Sequence, residues 1–340
     1  MNVYHITNDL REASGVGTFV RGLDAALRAQ GVVSRIATCP GDISAIGRSL
    51  RADDIVHIHG LWLSLHRAAA NVARLSGAKI VWSTHGMTAP WAMRFKWWKK
   101  LPAWWLYQRR LLKAADAVHA TTDQEKKWNE RLGITPSKIS VIPLGTDIIR
   151  YPDAPSAAKG NRILLFVGRI HQVKAIDRII EAFGLVPASV RSGWRLRIVG
   201  PDETGWKKEL ETLASGLPVD FAGPKFGADL HGEYAGCDCL VLASHTENFG
   251  ATVVDAMSCG KPVVTGRATP WSEVSDTGCG WWVDNSPASL AQAFSEMMSM
   301  SDSARSAMGE KGRMLVAEKY TWDAVGRRMM KVYGGLEERH

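Results

Sequence analysis

The chain has 340 residues, 46% hydrophobic and 22% charged, with a formal charge of +8. That length predicts two domains of about 150–170 residues, and no run of about 18 apolar residues predicts a membrane-spanning helix. The five cysteines, Cys39, Cys237, Cys239, Cys259 and Cys279, are odd in number and scattered, which fits a reducing compartment better than a disulfide framework, and residues 1–6 lack the basic-then-apolar pattern of a signal peptide.

Residues 3–6 read as a strand running into the loop "TNDLREASGVG". A helix follows, with Phe19, Val20, Leu23, Ala26 and Leu27 at spacings of three and four. "DIVHIHG" (54–60), "AKIVWSTHG" (78–86), "ADAVHATT" (115–122) and "KISVIPLG" (138–145) continue a series of buried strands. Residues 145–161 carry Pro152, Pro155, Ser156 and two glycines and read as a linker. Alternation then restarts, with strands at 162–168, 194–200, "VDFAG", 238–244 and "KPVVTG". The helices between them include 175–186, "WKKELETLASG" and "GATVVDAMSCG", and "TWDAVGRRMMKVYGGL" is a final amphipathic helix. Strands alternating with helices predict an α/β protein of two doubly wound, Rossmann-like domains, 1–150 and 151–325, with a C-terminal helix over 326–340. Ligands of such sheets bind beyond the carboxyl ends of the strands, so two facing domains would bind across a cleft.

The candidate residues all follow strands. Arg169 and Lys174 lie between a strand and a helix, where two cations and the helix's free N–H groups suit a diphosphate; solvated loop charges are the alternative. Gly15 and Gly17, in "SGVG", open a helix and would let a backbone approach a phosphate, although a plain tight turn has the same look. Neither the dinucleotide fingerprint nor the Walker pattern is present. His85 ends a strand and could meet a substrate hydroxyl or serve structurally. His57 and His59 share one strand face with no third ligand evident, and Cys237 and Cys239 lack the second pair a zinc site needs. In "SHTENFGATVVDAMSCGKPVV", Glu247 sits in a loop at a strand's carboxyl end, the N–H groups of Asn248, Phe249, Gly250 and Ala251 open a helix, and Asp255 lies about one turn inside it. A capping acid and a salt-bridged acid are the simpler reading. A polyol ligand would explain both together.

These motifs resemble retaining glycosyltransferases of the GT-B fold, family 4. The resemblance rests on Glu247, Phe249-Gly250, Asp255 and the strand entry Cys259-Gly260-Lys261-Pro262-Val263-Val264, with Gly168-Arg169, Lys174, Gly15, Gly17, His85 and "VIPLGTD" in the family's order. It implies that Arg169 and Lys174 neutralise the leaving nucleotide diphosphate. It also implies that Glu247 and the N–H groups of residues 248–250 hold the donor sugar, that Asp255 binds the ribose and that His85 contacts the sugar near the reacting carbon. It implies no metal and no cofactor, in keeping with the missing Asp-x-Asp. Asp255 is one methylene shorter than the family's Glu, Ser14 replaces the first glycine of the usual pair, and Leu144 replaces the usual Asn. Uridine donors are commonest for this resemblance, with GDP-mannose the alternative.

Residues 90–113 hold seven Lys or Arg, no acid and five of the fourteen Trp. Trp97, Trp98, Lys99, Lys100, Trp104, Trp105 and Arg109 read as a face for an anionic inner membrane leaflet, beside a lipid-linked glycan acceptor; aromatics packed on the domain with cations in water are the alternative. Nothing else in the chain supports nucleic-acid binding. The expectation is a cytoplasmic, membrane-peripheral sugar transferase in surface polysaccharide assembly. A transferase for a small soluble acceptor and a non-catalytic membrane-associated assembly factor are the other readings.

Overall fold

The computed structural model describes residues 1–10, 14–147 and 162–337. The chain divides into two units, Met1–Gly145 with Trp322–His340, and Thr146–Thr321. The boundaries thus fall four to five residues before the expected 150/151 and 325/326. Most of the linker expected over 145–161 lies outside the described residues.

The first unit is built on a parallel sheet of β1 (Asn2–Ile6), β2 (Val33–Ala37), β3 (Ile55–His59), β4 (Lys79–Ser83), β5 (Ala117–Ala120) and β6 (Ile139–Val141), ordered β2-β1-β3-β4-β5-β6. β2 has no counterpart among the strands read from sequence. It is an edge strand with Val33 and Arg35 exposed, so it lacks the continuous apolar run that marks the others. One face of the sheet is apolar, with Tyr4, Ile6, Val56, Ile58, Ile80, Trp82 and Val118 in a common core. The two-residue period puts a different set on the other face. There His5 lies beside His57, and His59 beside Ser83, which is beside His119. All five side chains are buried.

Two helices cover this polar layer. Phe19, on the helix Gly15–Ala29, stacks on His119 with ring centroids 5.1 Å apart. The helix Trp322–Glu337 belongs to the same unit and brings the Tyr333 hydroxyl to 2.7 Å from His57 Nδ1. Its first residue, Trp322, is seated between two glycines: a Cβ on Gly22 would come within 2.2 Å of the indole, and one on Gly145 within 2.4 Å.

The second unit repeats the plan with β7 (Arg162–Val167), β8 (Trp194–Val199), β9 (Val219–Gly223), β10 (Cys239–Leu242), β11 (Val263–Gly266) and β12 (Gly280–Val283), ordered β12-β11-β10-β7-β8-β9. β12, "GWWV", is another half-buried edge strand not read from sequence. The strand order reverses between β1 and β3 in one sheet and between β7 and β10 in the other. At such a reversal the outgoing loops turn to opposite faces and leave a crevice, which is where doubly wound sheets bind ligands.

The Trp322 seat predicts a coupled pair of substitutions. Gly22→Val should lower the urea midpoint by the equivalent of about 1–3 kcal/mol through overpacking. Trp322→Ala in the same chain should recover part of that loss, whereas fully additive losses would show that the two residues do not share the seat.

Candidate functional site

The loops leaving β7 and β10 flank the reversal in the second unit. After β7 come Gly168, Arg169 and a short 3-10 turn, Gln172–Lys174, tightened by Val173 N donating to His171 Nδ1 at 3.1 Å. Ala175 takes a left-handed φ of 52° and launches the helix Ile176–Leu185. After β10, residues 244–250 lead to the helix Ala251–Ser258. The loops are joined by a backbone bond, His245 N to Val173 O at 2.8 Å, and by an ion pair, Lys174 Nζ to Glu247 Oε2 at 2.6 Å. Ser244 Oγ donates to the same carboxylate oxygen at 3.2 Å, and Asn248 N to the other at 3.3 Å.

The cation expected at a diphosphate and the acid expected at a sugar are therefore each other's counterion. Arg169 is not part of this pair. It bonds Glu203 at 2.9 Å, and both side chains are about half exposed. The expected double-cation clamp is thus two separate ion pairs, one in the crevice and one at the surface.

The turn after Glu247 is held by residues not singled out from sequence. Gly250 caps the helix with φ 81°, and a Cβ there would meet Leu242 at 2.8 Å, Trp271 at 3.1 Å and Glu247 at 3.2 Å, so glycine is required on both counts. The Phe249 ring is buried edge-on against Trp271, centroids 5.2 Å apart, and Trp271 Nε1 donates to Phe249 O. The Phe249 side chain thus anchors the turn. Asn285 Nδ2 donates to Ala243 O at 2.8 Å and to Ser244 O at 2.9 Å, fixing the end of β10. Asp255 accepts from Thr146 Oγ1 at 2.9 Å and shares a bond with Tyr234, and burial pushes its carboxyl up to about 6.

In the first unit Gly15 and Gly17 do not form a loop. They belong to the first turn of the helix Gly15–Ala29, with Ser14 as its cap accepting from Gly17 N at 3.3 Å. His85 follows β4 with a left-handed φ of 48°. A buried carboxylate holds this strained turn: Glu125 accepts from Thr84 Oγ1 at 2.6 Å, from Gly86 N, and from Thr121 N and Oγ1, both at 2.7 Å. Burial alone would raise the Glu125 carboxyl, but these donors outweigh it and hold it below its usual range. The available sequence signal was a capping pattern, Thr122 accepting from Glu125 N three residues on. His5 supplies what the sequence did not show beside His57 and His59: one ring nitrogen from each of the three lies within 4.8 Å of the others.

The basic segment folds as the helices Pro90–Arg94 and Trp97–Ala103, a π-turn at Trp104–Gln108, and the helix Arg109–Ala114. Pro102 lies inside this run, and Gln108 and Tyr107 tie the π-turn to the backbone of Trp62 at 2.9 and 2.7 Å. The π-turn separates neighbouring tryptophans. Trp104 is in the core, which corrects its placement on the membrane face, whereas Trp105 is 63% exposed with the Arg109 guanidinium 4.9 Å over its ring. Trp97 and Trp98 are each 58% exposed and Leu106 is 81% exposed, while Lys100 donates to Ala92 O at 2.6 Å. Among the described residues no helix is long and apolar enough to cross a membrane.

With this geometry in place, comparison with known proteins is decisive for the family. Residues 147–314 match the family described as Glycosyl transferases group 1, and residues 43–150 match Glycosyltransferase Family 4. The chain belongs to the family 4 glycosyltransferases. D-inositol 3-phosphate glycosyltransferase from Kineococcus radiotolerans is 28% identical over 66% of this chain and 58% of its own. GDP-mannose-dependent alpha-(1-6)-phosphatidylinositol dimannoside mannosyltransferase from Mycobacterium tuberculosis is 27% identical over 65% of this chain and 58% of its own. The match with these curated relatives thus spans less than two thirds of their length. Among solved structures, Anabaena HepE in complex with UDP superimposes with a TM-score of 0.78 at 17% identity, over 98% of this chain and 100% of that one. Sucrose-phosphate synthase from Thermosynechococcus elongatus gives 0.79 at 19% identity over 100% of both. The fold of this glycosyltransferase chain is GT-B.

The histidine layer makes stability depend on pH. Burial lowers His5 to about 4 and His85 to about 3, and holds His57 and His59 well below 6.5. The unfolded chain then binds more protons than the folded one below pH 6.5, so stability falls as pH falls, by up to about 1.4 kcal/mol per pH unit for each histidine. Asp255, raised from 3.8 to about 6, acts oppositely between those values, but it is one group against six, since burial lowers His66 and His119 as well. Urea midpoints should drop steadily from pH 7.5 to 5.5; a flat profile would contradict a neutral, buried layer.

Proposed function

We propose that this chain moves a sugar from a nucleotide-sugar donor to a lipid-linked glycan acceptor with retention of anomeric configuration and without a metal, in surface polysaccharide assembly. The observation that carries the donor assignment is the Lys174–Glu247 pair at the strand-order reversal of the second unit. Glycosidic cleavage of such a donor builds positive charge on the anomeric carbon and negative charge on the departing diphosphate. Lys174 is the cation preorganised for the second charge, and Arg169 the one recruited from the surface. As the diphosphate takes over Lys174, Glu247 becomes free to accept from sugar hydroxyls. The anomeric carbon–phosphate oxygen bond breaks, the bond to the acceptor oxygen forms on the same face, and the acceptor proton passes to the departing phosphate oxygen. Asp255 is assigned to the ribose, through or beside Thr146, and His85 to the donor sugar. The glycines of the Gly15–Ala29 helix are assigned to the phosphates.

Uridine is the favoured base, in line with the UDP complex of HepE; the mannosyltransferase relative named as GDP-mannose-dependent keeps guanosine as the second reading. The acceptor assignment rests on the first unit, whose exposed Trp91, Phe95, Trp97, Trp98, Leu101, Trp105 and Leu106 are interleaved with Lys and Arg. Aromatic rings at headgroup depth with cations facing anionic lipid fit a peripheral position on the inner membrane leaflet.

Donor hydrolysis by the wild type should fall roughly 10²–10³-fold in Lys174→Ala and in Glu247→Ala, and product NMR should report the donor's own anomeric configuration. Undiminished hydrolysis would remove the donor assignment, and an inverted product the front-face displacement. In flotation assays the protein should bind vesicles containing anionic lipid and release in high salt, with binding lost in the combined Trp97→Ala, Trp98→Ala and Trp105→Ala variant. Equal binding to neutral vesicles would contradict the membrane assignment.

A further inference from the structure

Three imidazoles of the buried layer form a chain that ends at His85. His5 Nδ1 lies 3.0 Å from His59 Nε2, and His59 Nδ1 lies 3.1 Å from His85 Nε2. Phe19 packs over the outer two rings, 5.8 Å from His59 and 5.3 Å from His85 between centroids. At the inner end, His5 Nε2 is buried and bonds to nothing. At the outer end, His85 is partly exposed, and its Nδ1 is the nitrogen left over.

Hydrogen-bond logic restricts this chain to two arrangements. A neutral imidazole carries one N–H and one bare nitrogen. If His5 donates from Nδ1, His59 accepts at Nε2 and so carries its proton on Nδ1; it then donates to His85 Nε2, which leaves the His85 proton on Nδ1. If the first bond points the other way, all three rings carry the proton on Nε2. The three rings therefore share one tautomer. The two arrangements differ at the buried end. The second leaves His5 with an N–H donor and no acceptor in a dry core. The first leaves only a bare acceptor nitrogen, and orphaned buried donors are the rarer defect.

We propose that His59, backed by His5, is a positioning residue that fixes His85 as the Nδ1–H tautomer, so that His85 offers a hydrogen-bond donor to an oxygen of the sugar substrate. This rests on the reading above that His85 meets the donor sugar. Glu125 fixes the backbone of the same turn through Gly86 N, and the imidazole chain fixes the ring. Both supports are needed because His85 sits at a left-handed φ, where neither helix nor strand bonding constrains it. The low proton affinity of the layer keeps all three rings neutral at neutral pH.

The test is nitrogen-15 NMR of the full chain labelled in histidine side chains, with His85 assigned by its loss in His85→Gln. The expected result is one shared tautomer for His5, His59 and His85, protonated at Nδ1 and unchanged from pH 7.5 to 6. In His59→Leu the His85 signal should shift to a mixture of tautomers, while His59→Asn, whose amide can still donate at the former Nδ1 position, should keep His85 protonated at Nδ1. Donor turnover should fall roughly 10- to 100-fold in His59→Leu and be restored in part in His59→Asn. It should stay at the wild-type level in His66→Leu, which removes another buried histidine whose nitrogens bond to nothing. A His85 ring protonated at Nε2, or one indifferent to His59→Leu, would overturn the proposal. So would stoichiometric zinc, copper or nickel in the purified protein that is lost in His57→Ala, since His5, His57 and His59 would then be ligands. If His85→Gln turns the donor over as the wild type does, the reading of His85 as a sugar contact fails on its own, whatever the tautomer spectrum shows.

Discussion

The ion pair between Lys174 and Glu247 is the interaction on which the reading of the second unit as a donor site depends. It spans the two loops that leave β7 and β10, the strands between which the sheet reverses its order. Both side chains are mostly buried, at 17% and 14% exposure, so each charge needs the other or a ligand to replace it. That need makes the pair a poised site. A diphosphate offers Lys174 a stronger counterion, and a polyol offers Glu247 hydrogen-bond donors. The other contacts that hold these loops, the His245–Val173 backbone bond, the Asn285 amide and the Trp271 indole, are all independent of the two charges.

The first unit solves a different problem. Its sheet buries polar rings on one face, which would be costly if any were charged or left unpaired. The chain meets most of the cost by pairing them with one another, with Ser83, with the Tyr333 hydroxyl and with Ile142 O, and leaves His5 Nε2 alone without a partner among the nitrogens of these rings on the sheet. The helix Trp322–Glu337 therefore does more than cover apolar surface. It supplies the hydroxyl that satisfies His57 and the indole that fits between Gly22 and Gly145.

Much of this was legible in the sequence, for identifiable reasons. Buried parallel strands are continuous apolar runs, so five strands in each unit could be read directly, whereas β2 alternates exposed with buried residues and carries no such run. The loop positions of Arg169, Lys174, Glu247 and His85 followed from the strands that precede them. Pairing did not follow: nothing local says that Lys174 meets Glu247 while Arg169 meets Glu203. The histidine layer depends on register across four strands, so His5 could not be joined to His57 and His59 from spacing within either strand. Trp104 and Trp105 look alike in the sequence, and a π-turn beyond Pro102 sends one inward and the other outward. Asp255, read as a ribose contact, is already bonded to Thr146 and Tyr234, a role that only the fold reveals.

We propose a diphosphate site built on Lys174 at the strand-order reversal of the second unit. Calorimetric titration of the full chain with UDP and GDP, each against its nucleoside, tests it most directly. At least one diphosphate should bind while uridine and guanosine do not, and Lys174→Ala should weaken the diphosphate by tenfold or more, about 1.4 kcal/mol. Nucleosides binding as well as diphosphates, or Lys174→Ala binding as the wild type does, would contradict it.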